Sequence, residues 1–197
     1  YTYSKDNFAT TQSENVFSGL AAGAYTFKVR DARGCEQETS MTMNEPAALT
    51  LTYEKTDSVH CNGASDGVVT LTAAGGNVLE GAYTYSKDNF ATTQSENVFS
   101  GLAAGAYTFK VRDARGCEQE TSMTMNEPAA LTLTYEKTDS VHCNGGANGV
   151  VTLTAAGGNV LEGAYTYSKD NFATTQSENV FSGLAAGAYT FKVRDAR

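Results

Sequence analysis

The two histidines of this 197-residue chain each stand directly before a cysteine, at His60–Cys61 and His142–Cys143. A histidine within reach of a thiol is the raw material of nucleophilic catalysis, because the imidazole takes the proton of the attacking group. Neighbouring side chains on an extended strand point to opposite faces, so direct adjacency predicts that the pair does not act together. One histidine and two cysteines per sequence repeat also fall short of the four ligands of a structural zinc. The reading is a loop histidine beside a disulfide cysteine, with no enzyme activity. Calcium is the stronger rival, since Asp57, Asp66, Asp88 and Asp113 fall in or beside glycine-rich stretches where oxygen ligands converge. Asp66 gives way to Asn148 in the next repeat, so a site built on that carboxylate loses charge there. Solvated acids are therefore the first expectation, no cofactor is called for, and calcium is kept as a secondary one.

The elements that position these groups are written more than once. Tyr1 recurs as Tyr83 and Tyr165, a period of 82 residues, and residues 1–115 differ from 83–197 only at Ala64/Gly146, Ser65/Ala147 and Asp66/Asn148. Solenoid coils repeat every ~20–50 residues, so this period suits a small domain with its own core. The expected organisation is the C-terminal part of one domain over 1–45, a complete domain over 46–127, and a third domain lacking its last strand over 128–197. The chain reads as a segment of a longer uniform array.

Period-2 alternation marks the strands. Leu49, Leu51 and Tyr53 share one face, as do Val69, Leu71 and Ala73, then Tyr107, Phe109 and Val111, then Thr121, Met123 and Met125. Weaker strands are expected at "FATTQ" and "NVFSGL", giving about seven per domain, with glycine-rich turns between them. Seven short strands without helical periodicity predict an all-β fold of tandem immunoglobulin-like β-sandwiches. The stretch "GLAAGAY" places Tyr25, Tyr107 and Tyr189 where the chain enters an alternating strand. That matches a tyrosine corner, in which the hydroxyl bonds back to the connecting loop.

Cys35, Cys61, Cys117 and Cys143 supply two disulfide candidates per domain. In an immunoglobulin-like order, Cys61 and Cys117 fall at opposite ends of one sandwich, roughly 30 Å apart for strands of ~8–10 residues. A disulfide needs Cα atoms within ~7 Å, so pairing inside one domain is disfavoured. Two alternatives remain. In one, the loop cysteine of one domain is stapled to the last-strand cysteine of the next; in the other, a hairpin about "NEPAA" brings Cys35 to Cys61 and Cys117 to Cys143.

The stretches "CNGASDGVVTLTAAGG", "YTYS", "GLAAGAYTFKVRDARGC" and "NEP" resemble the SprB-type repeat, and the resemblance covers essentially the whole chain. Ala82 departs from the family pattern, which usually has proline just before the Tyr-Thr-Tyr. The resemblance implies very large proteins of the outer cell surface of Bacteroidota, among them a gliding-motility adhesin exported by the type IX system and assembled into filaments.

Partners follow from charge and composition. With 14 basic against 22 acidic residues, a net charge of −8 opposes nucleic-acid binding and an electrostatic membrane anchor. No apolar run approaches the ~20 residues of a membrane helix, so no membrane insertion is expected in this segment. The leading expectation is a semi-rigid stalk whose partners are neighbouring repeats of the same chain. The alternative is a multivalent binding array for extracellular glycans, or one dependent on calcium, in which repetition supplies avidity.

Overall fold

The computed structural model describes residues 1–78, 83–159 and 165–195. Ala82 lies outside the described residues. The chain divides into two compact units: residues 1–48 with 75–77, and residues 49–74 with 78–197.

The first unit carries β1 (Thr2–Ser4), β2 (Gly23–Arg30) and β3 (Glu36–Met43) in one antiparallel sheet ordered β1-β2-β3. Its second segment is tied in by the Gly76 amide, which donates to the Ala47 carbonyl at 2.7 Å. Gly75 has φ +77°, and a Cβ there would lie 2.1 Å from the Ala48 oxygen, so only glycine fits this approach.

The second unit begins with the complete repeat: β4 (Thr50–Asp57), β5 (Gly67–Ala74), β6 (Thr84–Ser86), β7 (Val98–Leu102), β8 (Gly105–Arg112) and β9 (Glu118–Met125). Two three-stranded antiparallel sheets, β4-β5-β7 and β6-β8-β9, face one another. This is the connectivity of an immunoglobulin-like sandwich reduced to six strands. The alternating faces account for the core: Val69, Leu71, Phe109, Val111, Met123 and Met125 are buried, and the Phe99 and Phe109 rings meet at 5.0 Å. Tyr53 shares the predicted inward face of β4 yet stays exposed near the sheet margin, while Leu51 is buried.

The expected strand at "FATTQ" does not form. Residues between β6 and β7 instead make a tight loop in which Asn89 and Phe90 take φ of 57° and 64°. Left-handed backbone at two successive residues breaks an extended strand, and the count falls from seven to six. The third repeat has β10 (Thr132–Asp139), β11 (Gly149–Ala156), β12 (Thr166–Ser168), β13 (Val180–Leu184) and β14 (Lys192–Arg194), in sheets β10-β11-β13 and β12-β14. Among the described residues no helix is long and apolar enough to cross a membrane.

Candidate functional site

In each repeat the tyrosine hydroxyl donates to a carbonyl four residues back: Tyr25 to Ala21 at 3.0 Å, Tyr107 to Ala103 at 3.0 Å and Tyr189 to Ala185 at 3.1 Å. The bond closes the turn that carries the chain from β7 to β8, beside the buried Leu102. Gly105, at φ +154°, gives that turn its reach.

The loop between β6 and β7 is pinned by a set of residues that pattern reading missed. Ser86 Oγ donates to Asp88 Oδ1 at 2.8 Å and accepts the Phe90 amide at 2.9 Å. Thr92 donates its amide to Asp88 Oδ1 at 2.8 Å and its hydroxyl to Oδ2 at 2.5 Å. The Thr92 hydroxyl, the Thr92 amide and the Ser86 hydroxyl together hold the Asp88 carboxyl down at about 2. The Arg112 guanidinium covers the Phe90 ring at 3.9 Å. Ser4, Asp6 and Thr10 repeat the arrangement, as do Ser168, Asp170 and Thr174. The only sequence signal is the Ser-x-Asp-x-x-x-Thr spacing, which carries no period of its own.

The remaining acids also serve their own loops. Asp113 caps the β8–β9 turn by accepting the amides of Arg115 and Cys117, each at 2.9 Å. The Asp113 hydrogen bond also pushes the Cys117 thiol up, which makes it a poor nucleophile at neutral pH. Asp57 and Asp66 hold His60 between them, with Nε2 3.1 Å from Asp57 Oδ1 and Nδ1 2.6 Å from Asp66 Oδ2. Asp66 also accepts the His60 amide at 3.1 Å, and this bond, with the ring contact, lowers its carboxyl below the ordinary range. In the third repeat Asn148 replaces Asp66, accepts the His142 amide at 3.1 Å and donates to the ring nitrogen at 2.7 Å. His60 and Cys61 lie in the β4–β5 loop and not on a strand, and the imidazole is committed to carboxylates. Among the described residues no group of three or more His, Cys, Asp or Glu stands close enough to hold a metal ion.

The four cysteines are exposed free thiols. Gly67 opposite Leu102, and Gly105 opposite Met125, define one end of the complete repeat; Arg112 opposite Glu118 defines the other. Cys61 lies in the loop at the first end and Cys117 in the turn at the second, about 26 Å away for an eight-residue strand. The strands flanking the second "NEPAA" do not form a hairpin, since β9 pairs with β8 and β10 with β11, in separate sheets.

The feature with the longest reach is the junction between the second and third repeats. The chain leaves β9 at the end where the β4–β5 loop projects. There the Gly63 amide donates to Glu127 Oε2 at 2.6 Å, and Asn62 Nδ2 donates to the Pro128 carbonyl at 3.1 Å. Ser58 and Val59 of the same loop share a cleft with Asn126, Glu127, Pro128, Gly158 and Asn159, so the loop meets the base of the following repeat. At that base the Asn159 amide donates to Asp195 Oδ2 at 2.7 Å.

Fold and junction define an all-β protein of tandem immunoglobulin-like repeats, with a clasped linker between the second and the third. The model of the SprB repeat matches the chain twice, over residues 54–92 and 136–174. These two stretches, one period apart, are similar to the SprB repeat. No curated protein matches it. Among solved structures, the N-terminal four Ig domains of Dscam1 isoform 6.44 are similar at 15% identity, over 88% of this chain and 51% of that one, with a TM-score of 0.29. The chain spans about half the length of that structure.

Proposed function

We propose that this segment is a semi-rigid stalk in a bacterial cell-surface adhesin, holding a binding region away from the cell in adhesion and gliding motility. The observation that carries this reading is the clasp of Glu127 and Pro128 by Gly63 and Asn62. A linker held on both sides of its proline cannot swing freely, and the second and third repeats carry separate cores, so length adds repeat by repeat. The SprB-type repeats support the surface setting, and with it an extracellular location.

The cysteines fit the same role. Cys61 stands two residues before the amide that grips Glu127, at the base of the following repeat. In that repeat Asp195 is the sequence counterpart of Asp113, which in the preceding one accepts the Cys117 amide. Longer arrays would then staple each loop cysteine to the turn cysteine of the next repeat, which non-reducing peptide mapping of such an array reads directly.

Small-angle scattering on arrays of increasing repeat number tests the stalk. The expected result is a maximum dimension that grows linearly with the number of repeats. A compact or freely jointed profile overturns the reading, and saturable glycan binding by each repeat would replace it with a binding array.

A further inference from the structure

The two residues that clasp the junction between the second and third repeats have a chemistry of their own. Asn62 and Gly63 are the central residues of a turn closed by the Ala64 amide, which donates to the Cys61 carbonyl at 3.0 Å. Gly63 takes φ +77°, the left-handed value that the third position of a type II turn requires, and both residues are exposed to water. Glycine carries no Cβ to crowd its own nitrogen, so that nitrogen is less hindered than any other toward the side chain before it. An asparagine in that place is open to attack on its Cγ by the backbone nitrogen that follows.

In that step the Gly63 nitrogen gives its proton to water or hydroxide and bonds to Asn62 Cγ. The Cγ–Nδ2 bond breaks, ammonia leaves and a succinimide ring closes. Water then opens the ring at one of its two carbonyls, giving aspartate or isoaspartate at position 62. Water is the one further reactant.

Both reacting groups are the ones that the linker holds. The Gly63 N–H donates to Glu127 Oε2 at 2.6 Å, and Asn62 Nδ2 donates to the Pro128 carbonyl at 3.1 Å. A carboxylate bonded to the amide proton opposes its loss, and the bond to Pro128 commits the side chain to the linker. After the reaction the clasp does not re-form. A carboxylate has no N–H to give the Pro128 carbonyl, and it adds negative charge to the loop that holds Glu127. Isoaspartate also lengthens the main chain of the turn by one methylene, which moves the Gly63 amide off its acceptor.

We propose that Asn62 is a deamidation site guarded by the junction. Closed, the clasp keeps Asn62 intact; left open, Asn62 converts and the second and third repeats are released from one another permanently. The junction therefore turns a reversible opening into a one-way loss of rigidity.

The 197-residue chain, its Glu127→Ala variant and a synthetic peptide of sequence DSVHCNGASDG, all kept reduced, are aged together in mildly alkaline buffer. Peptide mapping by mass spectrometry follows Asn62, whose peptide differs from that of Asn144 through Ala64, Ser65 and Asp66. Conversion is expected to be fastest in the peptide. In Glu127→Ala it should run roughly tenfold or more faster than in the parent, the worth of one hydrogen bond to a charged group. Spin labels in the second and third repeats should report a distance distribution that broadens as the parent converts. Asn62→Gln, which keeps an amide but cyclises far more slowly, should hold its starting distribution over the same period. Equal rates in parent and Glu127→Ala, a parent as fast as the peptide, or no conversion at Asn62 in any of the three would overturn the proposal. So would conversion that leaves the distribution unchanged, or broadening that Asn62→Gln shares.

Discussion

Gly63 donates its amide to the Glu127 carboxylate at 2.6 Å, joining a loop at one end of the complete repeat to the linker that leads out of it, 64 residues later. Glu127→Ala removes the acceptor and leaves, among the described residues, the clasp bond from Asn62 to Pro128. The second and third repeats should then sample a wider range of relative orientations, read as a broadened interdomain distance distribution with spin labels in each. An unchanged distribution would show that the clasp does not set the junction.

Tyr107→Phe deletes the bond to Ala103 and nothing else of the ring's packing on Phe109. The cost expected is about 0.5–1.5 kcal/mol, the net worth of one hydrogen bond. Single-molecule stretching of a longer array with one altered repeat should show one weakened unfolding event in an otherwise even series, because repeats with separate cores unfold almost independently. Uniform weakening would contradict a local corner.

Phe109→Ala empties the centre of the complete repeat and should cost about 3–5 kcal/mol. Chemical denaturation of the variant against the parent provides the comparison. An unchanged midpoint would place the ring outside the core.

Acid should loosen the β6–β7 loop in a defined window. The Asp88 carboxyl is held at about 2, below its ordinary value of 3.8, by bonds to its charged form. A depressed folded value means that its stabilisation is complete above the unfolded value and is lost as pH falls from 3.8 through about 2. Asp6 and Asp170 share that value, so the three loops should titrate together. Carboxyl NMR should place all three near it, and Asp88→Asn should remove one of the three transitions. An Asp88 signal titrating at its ordinary position would show that the Thr92 bonds are not formed in solution.

Much of the fold is legible from residue types alone, because a strand buried on one face imposes period 2 on the chain that forms it. Val69 and Leu71, Phe109 and Val111, and Met123 and Met125 point inward on that count, and all are buried. The repeat, its period and the all-β class follow from the letters in the same way. Backbone conformation in loops obeys no such period. "FATTQ" has strand-forming residues, but Ser86 and Asp88 bond the amides of Phe90 and Thr92 and turn the chain left-handed, so no strand forms. Contacts between distant residues are equally silent in sequence: Gly63 and Glu127 each read as ordinary surface residues, and only the antiparallel course of β8 and β9 brings them to one end of the sandwich. Local patterning thus determined the elements and their faces, because side-chain direction is a property of the strand itself. Which ends meet was decided by tertiary structure, because that depends on where separate elements stop in space.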